Sequence, residues 1–514
     1  MGKEQRRYDM GKYVLVVDRG STNVKAVLVD VNGKETAVSS CPSQKPVSLK
    51  PGWWEQDMEM IWENSVQAIR GIFSKGYLPE DILGVFVTGQ GNGMMPVGQD
   101  GKPSRMGILS LDSRAAEIQS GWIEDGRYGK AVETVKMPFG TGAPLPLLAW
   151  FLQQEPEEFK KIHTVLFSKD WIRYKLCGVL CTDRTEASGA GLMDLSKNDY
   201  AYEVFRLLGL DAIIEKLPPI HLPHEIVGAV TSQAAMETGL NEGTPVLCGA
   251  HDTAAYPFGV GTIDSKQLVS VIGTWGMNVV PVKDLAGAPA GLYHTVPGYF
   301  LSIAGDGNSG GCFDLMIDRL CQHEKAEAKE KDLSVYQYLE DMVLSAPPTG
   351  ILFQPFVFGH AFNSSAGAGF YGIRNWHTKA DYMRAVYEGI VMGHYYYIRL
   401  IPDYGKFESV WLIGGGSQSR IFGQMFADIT GLKVKVPEVK EVTARGGALA
   451  ALVGLGIYEG YDKAAIPSEV AVEYTPNPKL REFYQKKYEI FIKTLDMNRG
   501  VWDELNQMNL GGLS

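Results

Sequence analysis

Three short turns in this sequence combine glycine with hydroxyl residues, and each follows a strongly apolar run. They are 18–22 (Asp-Arg-Gly-Ser-Thr), Gly273–Thr274, and 414–419 (Gly-Gly-Gly-Ser-Gln-Ser). Backbone N–H groups in tight glycine turns, together with short hydroxyls, are the donors that bind phosphate. The three turns therefore predict a site for a phosphorylated ligand. A plain hairpin turn is the alternative explanation for the first of them.

Two aspartates stand where a strand is expected to end. Asp18 opens the first turn, and a carboxylate there can hold Mg²⁺ directly or through water. Asp252 follows an apolar strand predicted at 245–248, where a carboxylate can accept the proton of an attacking hydroxyl. The alternative for Asp252 is the N-cap of the next helical segment, a position that aspartate also favours. We expect His251 beside it to be a packed neighbour rather than a catalyst.

Two further segments carry the polar and aromatic side chains that commonly bind sugars. They are 52–57 (Gly-Trp-Trp-Glu-Gln-Asp) and 111–114 (Leu-Asp-Ser-Arg). Sugars are held by carboxylates and amides that pair with hydroxyl groups, beside aromatic walls. These segments indicate a polyhydroxy ligand, although local sequence favours the alternative that Asp112 and Arg114 form a surface ion pair.

The signatures of two common nucleotide-binding classes are missing from the sequence. There is no G-x-x-x-x-G-K-[ST] motif, and the motif set of protein kinases is also absent. A nucleotide site would have to be assembled from turns in two parts of the chain. Such an assembly implies a cleft between two domains.

The expected secondary structure places these turns at the ends of strands. Apolar runs predict antiparallel strands at 13–17, 24–30 and 35–39, and Asn32-Gly33 between the last two is the strongest short hairpin signal. Further elements predicted from their patterns are helices at 57–73 and 382–399 and strands at 82–87, 245–248 and 410–413. The alternation of strands and helices predicts mixed sheets covered by helices.

The strand, glycine turn and strand that open the chain recur in its second half. Strands are predicted at 267–272 and 277–282, on either side of the Gly273–Thr274 turn. The spacing suggests two similar α/β domains. A glycine-rich stretch near residue 260 places the boundary between an N-terminal domain, 11–260, and a C-terminal domain, 261–500.

Composition restricts the class of protein further. The chain has 514 residues, 45% of them apolar, and a net charge of −10. That acidity argues against a nucleic-acid partner, and residues 1–9 are polar, unlike a signal peptide. No apolar run is long enough to span a membrane. Six cysteines are too few for a disulfide framework, and buried thiols are favoured over a zinc site at Cys177 and Cys181, so we expect a cytoplasmic enzyme.

Taken together and in order, these segments resemble the FGGY family of carbohydrate kinases over nearly the whole chain, from about Tyr13 to Glu459. The segments that carry the resemblance are 18–25, 52–57, 88–90 (Thr-Gly-Gln), 112–115, 182–188, 249–252 (Gly-Ala-His-Asp), 273–274, 368–388 and 413–419. The most specific is 368–388, Ala-Gly-Phe-Tyr-Gly-Ile followed by Asp-Tyr and Ala-Val-Tyr-Glu. One departure is Leu147, which stands where a second signature of the family expects lysine.

The resemblance implies a fold, a reaction and site residues. The fold is α/β, with two actin-like ATPase domains of ribonuclease-H type around a central cleft, and the reaction transfers phosphate from Mg-ATP to a hydroxyl. Asp252 is the implied catalytic base and Asp18 the implied metal ligand. The implied substrate-binding residues are Glu55, Gln90, Asp112, Arg114 and Asp252, and those implied for ATP are Gly20, Ser21, Thr22, Gly273, Thr274, Gly415, Gly416 and Ser419.

The substrate stays open at this point. Segments 110–115 and 142–150 resemble L-xylulose kinases, whereas 88–93 and 271–277 resemble erythritol kinases. A pentulose or a four- or five-carbon polyol is therefore expected, with D-xylulose, ribulose and glycerol as further candidates. Two other classes share the actin-like core: ATPases that act on a protein partner, and non-catalytic sugar sensors. The resemblance also implies a homodimer.

Overall fold

A computed structural model describes residues 11–360 and 363–510, and each half of the chain is built around a seven-stranded mixed sheet. The polar segment 1–9 lies outside the described residues. The strands of the first half are β1 (Tyr13–Arg19), β2 (Asn23–Asp30), β3 (Glu35–Pro42), β4 (Glu55–Gln56), β5 (Ile82–Gly89), β6 (Met95–Val97), β7 (Gly107–Ile108), β8 (Thr164–Leu166), β9 (Thr182–Asp183), β10 (Met193–Asp194), β11 (Asp199–Tyr200), β12 (Ile220–His221), β13 (Ile226–Ala229), β14 (Pro245–Leu247) and β15 (Ala250–His251).

The helices of the first half cover that sheet and its insertions. They are α1 (Met58–Phe73), α2 (Ala116–Glu124), α3 (Arg127–Val135), α4 (Pro144–Gln154), α5 (Pro156–Lys161), α6 (Ser168–Cys177), α7 (Arg184–Gly189), α8 (Tyr202–Leu208), α9 (Ser232–Thr238) and α10 (Asp252–Gly259). The predicted helix at 57–73 is confirmed as α1, and Asp57 is its N-cap, with a side chain that accepts a hydrogen bond from the Glu59 N–H.

The second half repeats the plan with a second sheet. Its strands are β16 (Gln267–Ile272), β17 (Gly276–Val282), β18 (Ala290–Tyr293), β19 (Phe300–Asp306), β20 (Leu352–Gln354), β21 (Gly369–Tyr371), β22 (Ser409–Ile413), β23 (Lys433–Pro437) and β24 (Val470–Tyr474). Its helices are α11 (Gly310–Leu320), α12 (Gln322–Glu330), α13 (Val335–Ser345), α14 (Lys379–Ile398), α15 (Arg420–Thr430), α16 (Val442–Gly454), α17 (Tyr461–Ala464) and α18 (Pro478–Leu510).

The two sheets share one topology, which supports the expected duplication. In the first, β1 pairs antiparallel with β2 and parallel with β5; in the second, β16 pairs antiparallel with β17 and parallel with β22. The β2–β3 hairpin is antiparallel as predicted. Each half therefore carries its first glycine turn at the same place, between its first two strands.

Two helices cross between the halves where they join. Helix α16 follows the second sheet in sequence, yet Ala448 and Leu452 pack in one cluster with Val14, Val16 and Phe86 of the first sheet. Helix α10, which begins at Asp252, contacts both halves: Phe258 belongs to that same cluster, whereas Ala254 packs in another with Val279 and Leu301 of the second sheet. This crossing puts Asp252 at the junction of the two halves.

Two further observations bear on the class of protein. Within the described ranges, no helix is both long and apolar enough to cross a membrane. All six cysteines are free and buried, as expected for structural thiols.

Candidate active site

Three neighbouring parallel strands bring the predicted carboxylates to one edge of the first sheet. Asp18 of β1 lies opposite Thr88 of β5, and Thr88 lies opposite Ala250 of β15. Because the carboxyl ends of parallel strands share an edge, the residues that follow them converge there. Gln90 is held in place by its N–H, which donates to the Arg19 carbonyl at 3.0 Å. Asp18, Gln90 and Asp252 are thus brought to one site.

Asp18 lies in an electrostatically unfavourable environment. Its burial, followed by the nearby carboxylates of Asp252 and Glu441, raises its pKa to about 7, although Lys25 and Arg19 act in the opposite direction. Lys25 is itself engaged by Glu441, with its Nζ 2.8 Å from the carboxylate. The site therefore concentrates negative charge that the neighbouring cations do not fully offset.

The side chains around Asp18 can be compared with the ligands that the expected Mg²⁺ requires. Among the described residues, no group of three or more His, Cys, Asp or Glu side chains is arranged to hold a metal ion. Mg²⁺ is usually bound by one or two carboxylates, with waters and substrate phosphates completing its octahedron. The half-buried Asp18 carboxylate near Asp252 fits a cation of this kind, which arrives with a nucleotide, better than it fits a preformed all-protein cage.

Replacing Asp18 by asparagine is expected to raise the melting temperature of the nucleotide-free protein, and more so at pH 8 than at pH 5. The unfolded carboxyl has the ordinary pKa of 3.8 and the folded one about 7, so the folded state binds more protons between these values. Stability consequently falls as the pH rises through that window, and asparagine removes the loss. Melting curves in EDTA measure this.

The control for this prediction is Asp503→Asn, which removes an exposed carboxylate from α18. It is expected to change the melting temperature equally little at both pH values. A gain for Asp18→Asn that does not grow between pH 5 and pH 8 would contradict the charge repulsion at this site.

Asp252 is the first residue of α10, but it is not the N-cap. That position belongs to His251, whose Nδ1 lies 3.1 Å from the Thr253 nitrogen and can accept its N–H when the ring is neutral. The capping alternative for Asp252 is therefore wrong. Its Oδ1 lies 2.5 Å from the Thr253 nitrogen and 3.1 Å from His251 Nδ1, which leaves Oδ2 without a hydrogen bond from the described residues. Because Oδ2 is not engaged, it could accept a proton from a hydroxyl group at the sheet edge.

Next to Asp252 lies a buried group of ionisable side chains that the sequence did not reveal. The Thr185 hydroxyl accepts a hydrogen bond from the His251 N–H at 2.9 Å, and burial raises the pKa of the nearby Glu186 to about 8. Burial disfavours protonated His251, but Asp252 and Glu186 outweigh it and raise its pKa to about 9. The 182–188 segment was matched only as a motif, and its contact with His251 depends on tertiary structure.

The glycine turns of the second sheet also meet at one edge. Gly273 and Thr274 follow β16, and Gly414 follows β22, its parallel neighbour, so that the two turns are adjacent. Gly416 must be glycine, since a Cβ there would lie 2.2 Å from Ile272 Cγ2. Ser419 caps α15 by accepting a hydrogen bond from the Phe422 N–H at 3.4 Å.

A further glycine pair joins this edge and was missed in the sequence. The N–H groups of Gly310 and Gly311, at the start of α11, donate to the carbonyls of Gly273 and Thr274 at 2.7 and 3.1 Å. A Cβ on Gly310 would lie 2.5 Å from the Gly273 oxygen. The run Asp-Gly-Asn-Ser-Gly-Gly at 306–311, just before an amphipathic helix, is the signal that could have identified it.

Three of the predicted substrate-binding residues, Glu55, Asp112 and Arg114, form one buried cluster. Arg114 Nη2 lies 2.8 Å from both Glu55 Oε1 and Asp112 Oδ2, and its guanidinium stacks over Trp53 at 4.1 Å. Asp112 is fully buried, so the interpretation of Asp112 and Arg114 as a surface ion pair is wrong. Local sequence pointed to the surface because Glu55 and the tryptophan cover come from distant parts of the chain.

One donor of this cluster remains without a partner. Arg114 Nη1 is buried and makes no hydrogen bond to a described residue. Gln56 Oε1 is taken by Arg19 Nη2 at 2.7 Å, which ties the cluster to the end of β1. Leu147, where a family signature expects lysine, is fully buried in α4, and an ammonium group there would be costly.

Comparisons with known proteins agree with this arrangement. The models of the FGGY family of carbohydrate kinases match residues 13–259 (N-terminal domain) and 268–455 (C-terminal domain). An L-xylulose/3-keto-L-gulonate kinase of Escherichia coli (strain K12) is 31% identical, covering 93% of this chain and 96% of the relative. An autoinducer-2 kinase of Klebsiella pneumoniae is 29% identical, covering 92% of each.

The fold of the chain also matches a solved structure. Ligand-bound xylulose kinase from Lactobacillus acidophilus superposes with a TM-score of 0.87 at 23% identity, covering 96% of this chain and 100% of that one. This likeness supports the two-domain α/β, actin-like architecture expected above.

Proposed function

Because the chain belongs to the FGGY family of carbohydrate kinases, we propose that it phosphorylates a pentulose, L-xylulose or a close relative, with Mg-ATP. Family membership makes the protein a phosphotransferase acting on a carbohydrate, with ATP as the implied donor. The observation that carries the proposal is the convergence of Asp18, Gln90 and Asp252 at one sheet edge, at the start of α10, which contacts both sheets. The six cysteines of the chain are free and buried, which suits a reducing, cytoplasmic location.

The proposed chemistry assigns one task to each side of the junction. The Asp252 carboxylate accepts the proton of the attacking hydroxyl as its oxygen bonds to the γ-phosphorus, and the bond to the β-phosphate oxygen breaks to release ADP. The turns at 20–22 and 273–274 donate N–H and hydroxyl groups to the phosphates, and Gly415, Gly416 and Ser419 lie on the adenosine side. Mg²⁺ at Asp18 would neutralise phosphate charge.

Sugar recognition is proposed for the cluster on the N-terminal side. Arg114 is enclosed and held rigidly by Glu55 and Asp112, so it can fix the loops at 52–57 and 111–114, and polar groups on these loops and the Gln90 amide can present donors in fixed positions. Fixed donors favour one arrangement of hydroxyls because a misplaced hydroxyl leaves a buried group unpaired. The 31% identity to an L-xylulose/3-keto-L-gulonate kinase supports a pentulose as the ligand.

The test is a substrate panel with purified enzyme, Mg-ATP and coupled detection of ADP release. The panel holds L- and D-xylulose, L- and D-ribulose, 3-keto-L-gulonate, erythritol, xylitol, glycerol and autoinducer-2. We expect kcat/KM for L-xylulose or one other pentulose to exceed that of the polyols at least tenfold. A preference for erythritol would favour the polyol alternative, and ATP hydrolysis indifferent to the whole panel would favour an ATPase that acts on a protein.

A further inference from the structure

The N-terminal half contains a cavity of about 570 Å³ that the kinase reaction does not use. We call it the Arg184 cavity. Its polar lining comes from the start of α7, from β11 and from β12 and the loop after it. Its apolar wall comes from Ile214, Leu217, Pro218 and Pro219, which precede β12. Its lining includes Arg184, Asp199, Tyr200, His221 and Glu225. Its volume is typical of sites for small molecules.

Arg184 is a buried cation, and two of its three guanidinium nitrogens have no acceptor among the described residues. Its side chain is packed over the Tyr293 ring at 4.7 Å, and the residue is only 7% exposed. Nε and Nη2 are both shielded from solvent, and neither makes a hydrogen bond to a described residue. An unpaired guanidinium at such depth is costly, and it becomes favourable when an anion binds.

The acids that line the cavity do not supply that anion. Glu225 Oε2 is 2.6 Å from His221 Nδ1, and Asp199 Oδ1 accepts a hydrogen bond from the Tyr200 N–H at 2.7 Å. Two carboxylates nevertheless face the same space as one arginine. They disfavour a dianion such as phosphate, and their remaining oxygens can accept hydrogen bonds from hydroxyl groups.

The cavity is separate from the catalytic edge. Arg184 and Glu186 are two residues apart on α7, so they project about 200° apart around the helix. Glu186 faces Gly91 and His251, since a Cβ on Gly91 would lie 2.7 Å from Glu186 Oε1 and 2.2 Å from His251 Nε2. Arg184 therefore faces away from the segment that carries Asp252.

We propose that the Arg184 cavity binds a small polyhydroxy monocarboxylate, a sugar acid of about one ring. Its carboxylate pairs with Arg184, and its hydroxyls donate to Asp199 and Glu225. Tyr200 and the apolar wall contact its carbon face. This inference goes beyond the proposed kinase function and does not depend on it.

The experiment is calorimetric titration of the full chain with three ligands that differ only at one carbon. D-glucuronate carries a carboxylate there, D-glucose a hydroxymethyl group and D-glucose 6-phosphate a phosphate. We expect glucuronate to bind at least tenfold more tightly than either of the others. Arg184→Met should weaken glucuronate binding roughly 10- to 100-fold, the loss expected for a charge-assisted hydrogen bond, and should leave kinase turnover unchanged.

Two variants control this measurement. Lys197→Met removes an exposed cation beside the cavity and should leave glucuronate binding intact, while Arg184→Lys should retain part of it. The proposal is overturned if glucuronate does not bind, if glucose 6-phosphate binds as tightly, or if Arg184→Met lowers turnover together with binding. Failure of the sugar panel would leave this binding result unaffected, so the two proposals fail separately.

Discussion

Replacing Asp252 by asparagine is expected to lower kcat by about 10²- to 10⁴-fold, the range contributed by a positioned general base. In the structure the Thr253 nitrogen lies 2.5 Å from Asp252 Oδ1. Asparagine keeps an oxygen that can accept this N–H, so the start of α10 should keep its geometry. Its amide cannot accept the proton of the attacking hydroxyl. Single-turnover kinetics with the best sugar of the panel measure the loss, and calorimetry with a non-hydrolysable ATP analogue measures nucleotide binding, which should be retained.

The matched comparison for this variant is His251→Gln. The ring of His251 caps α10 and lies 3.1 Å from the Asp252 carboxylate, so its loss should loosen the helix start and lower kcat by less than about tenfold. Equal losses in the two variants would assign proton transfer to the pair rather than to Asp252. Normal turnover in Asp252→Asn would remove this residue from the mechanism.

Local patterns were sufficient for the parts of the fold that depend on neighbours in sequence. The strands predicted at 13–17 and 24–30 are confirmed as β1 and β2, and they were predictable because each is a mostly apolar run followed by a polar turn that contains glycine. Helix α14 begins at Lys379, three residues before its predicted start. The prediction began too late because the first turn of this helix is polar. That turn is stabilised by a capping box in which Asp381 bonds back to Thr378.

The parts that could not be predicted depend on contacts between distant segments. Arg114 and Asp112 lie close in sequence, but Glu55 Oε1 completes the cluster 2.8 Å from Arg114 Nη2, and Trp53 covers it. The sequence around Asp112 and Arg114 does not indicate that Trp53 packs over them. The Arg184 cavity was invisible for the same reason: an arginine after Asp183 in a recognised motif gives no sign that its guanidinium lacks an acceptor.

The close contact between α10 and α16 at the junction of the halves also has a residue-level cause. Arg445 of α16 is buried, and its guanidinium donates to the carbonyls of Gly33 in the first half and Gly259 at the end of α10, at 2.7 and 2.6 Å. Those bonds require α16 to approach α10 closely. The approach is made possible by Gly446, where a Cβ would lie 2.2 Å from the Ala255 carbonyl oxygen and 2.9 Å from the Gly259 nitrogen.

Replacing Gly446 by alanine is therefore expected to destabilise the protein, although alanine is the better helix former by up to about 1 kcal/mol. Both atoms that the new methyl group would meet belong to the backbone of α10, so neither can rotate away. Relieving the overlap must push the two helices apart, and overpacking of this kind typically costs about 1–3 kcal/mol. Because α10 begins at Asp252, the shift should also lower kcat. Thermal melting and turnover measure the two effects.

Gly129→Ala is the matched control, since it makes the same substitution inside helix α3, where a Cβ would meet no atom within 4 Å. There the helix preference acts alone, and the melting temperature should rise slightly with turnover unchanged. Opposite signs for the two variants would locate the constraint at the helix crossing. If Gly446→Ala melts as high as Gly129→Ala, the close approach of α10 and α16 does not hold the two halves together.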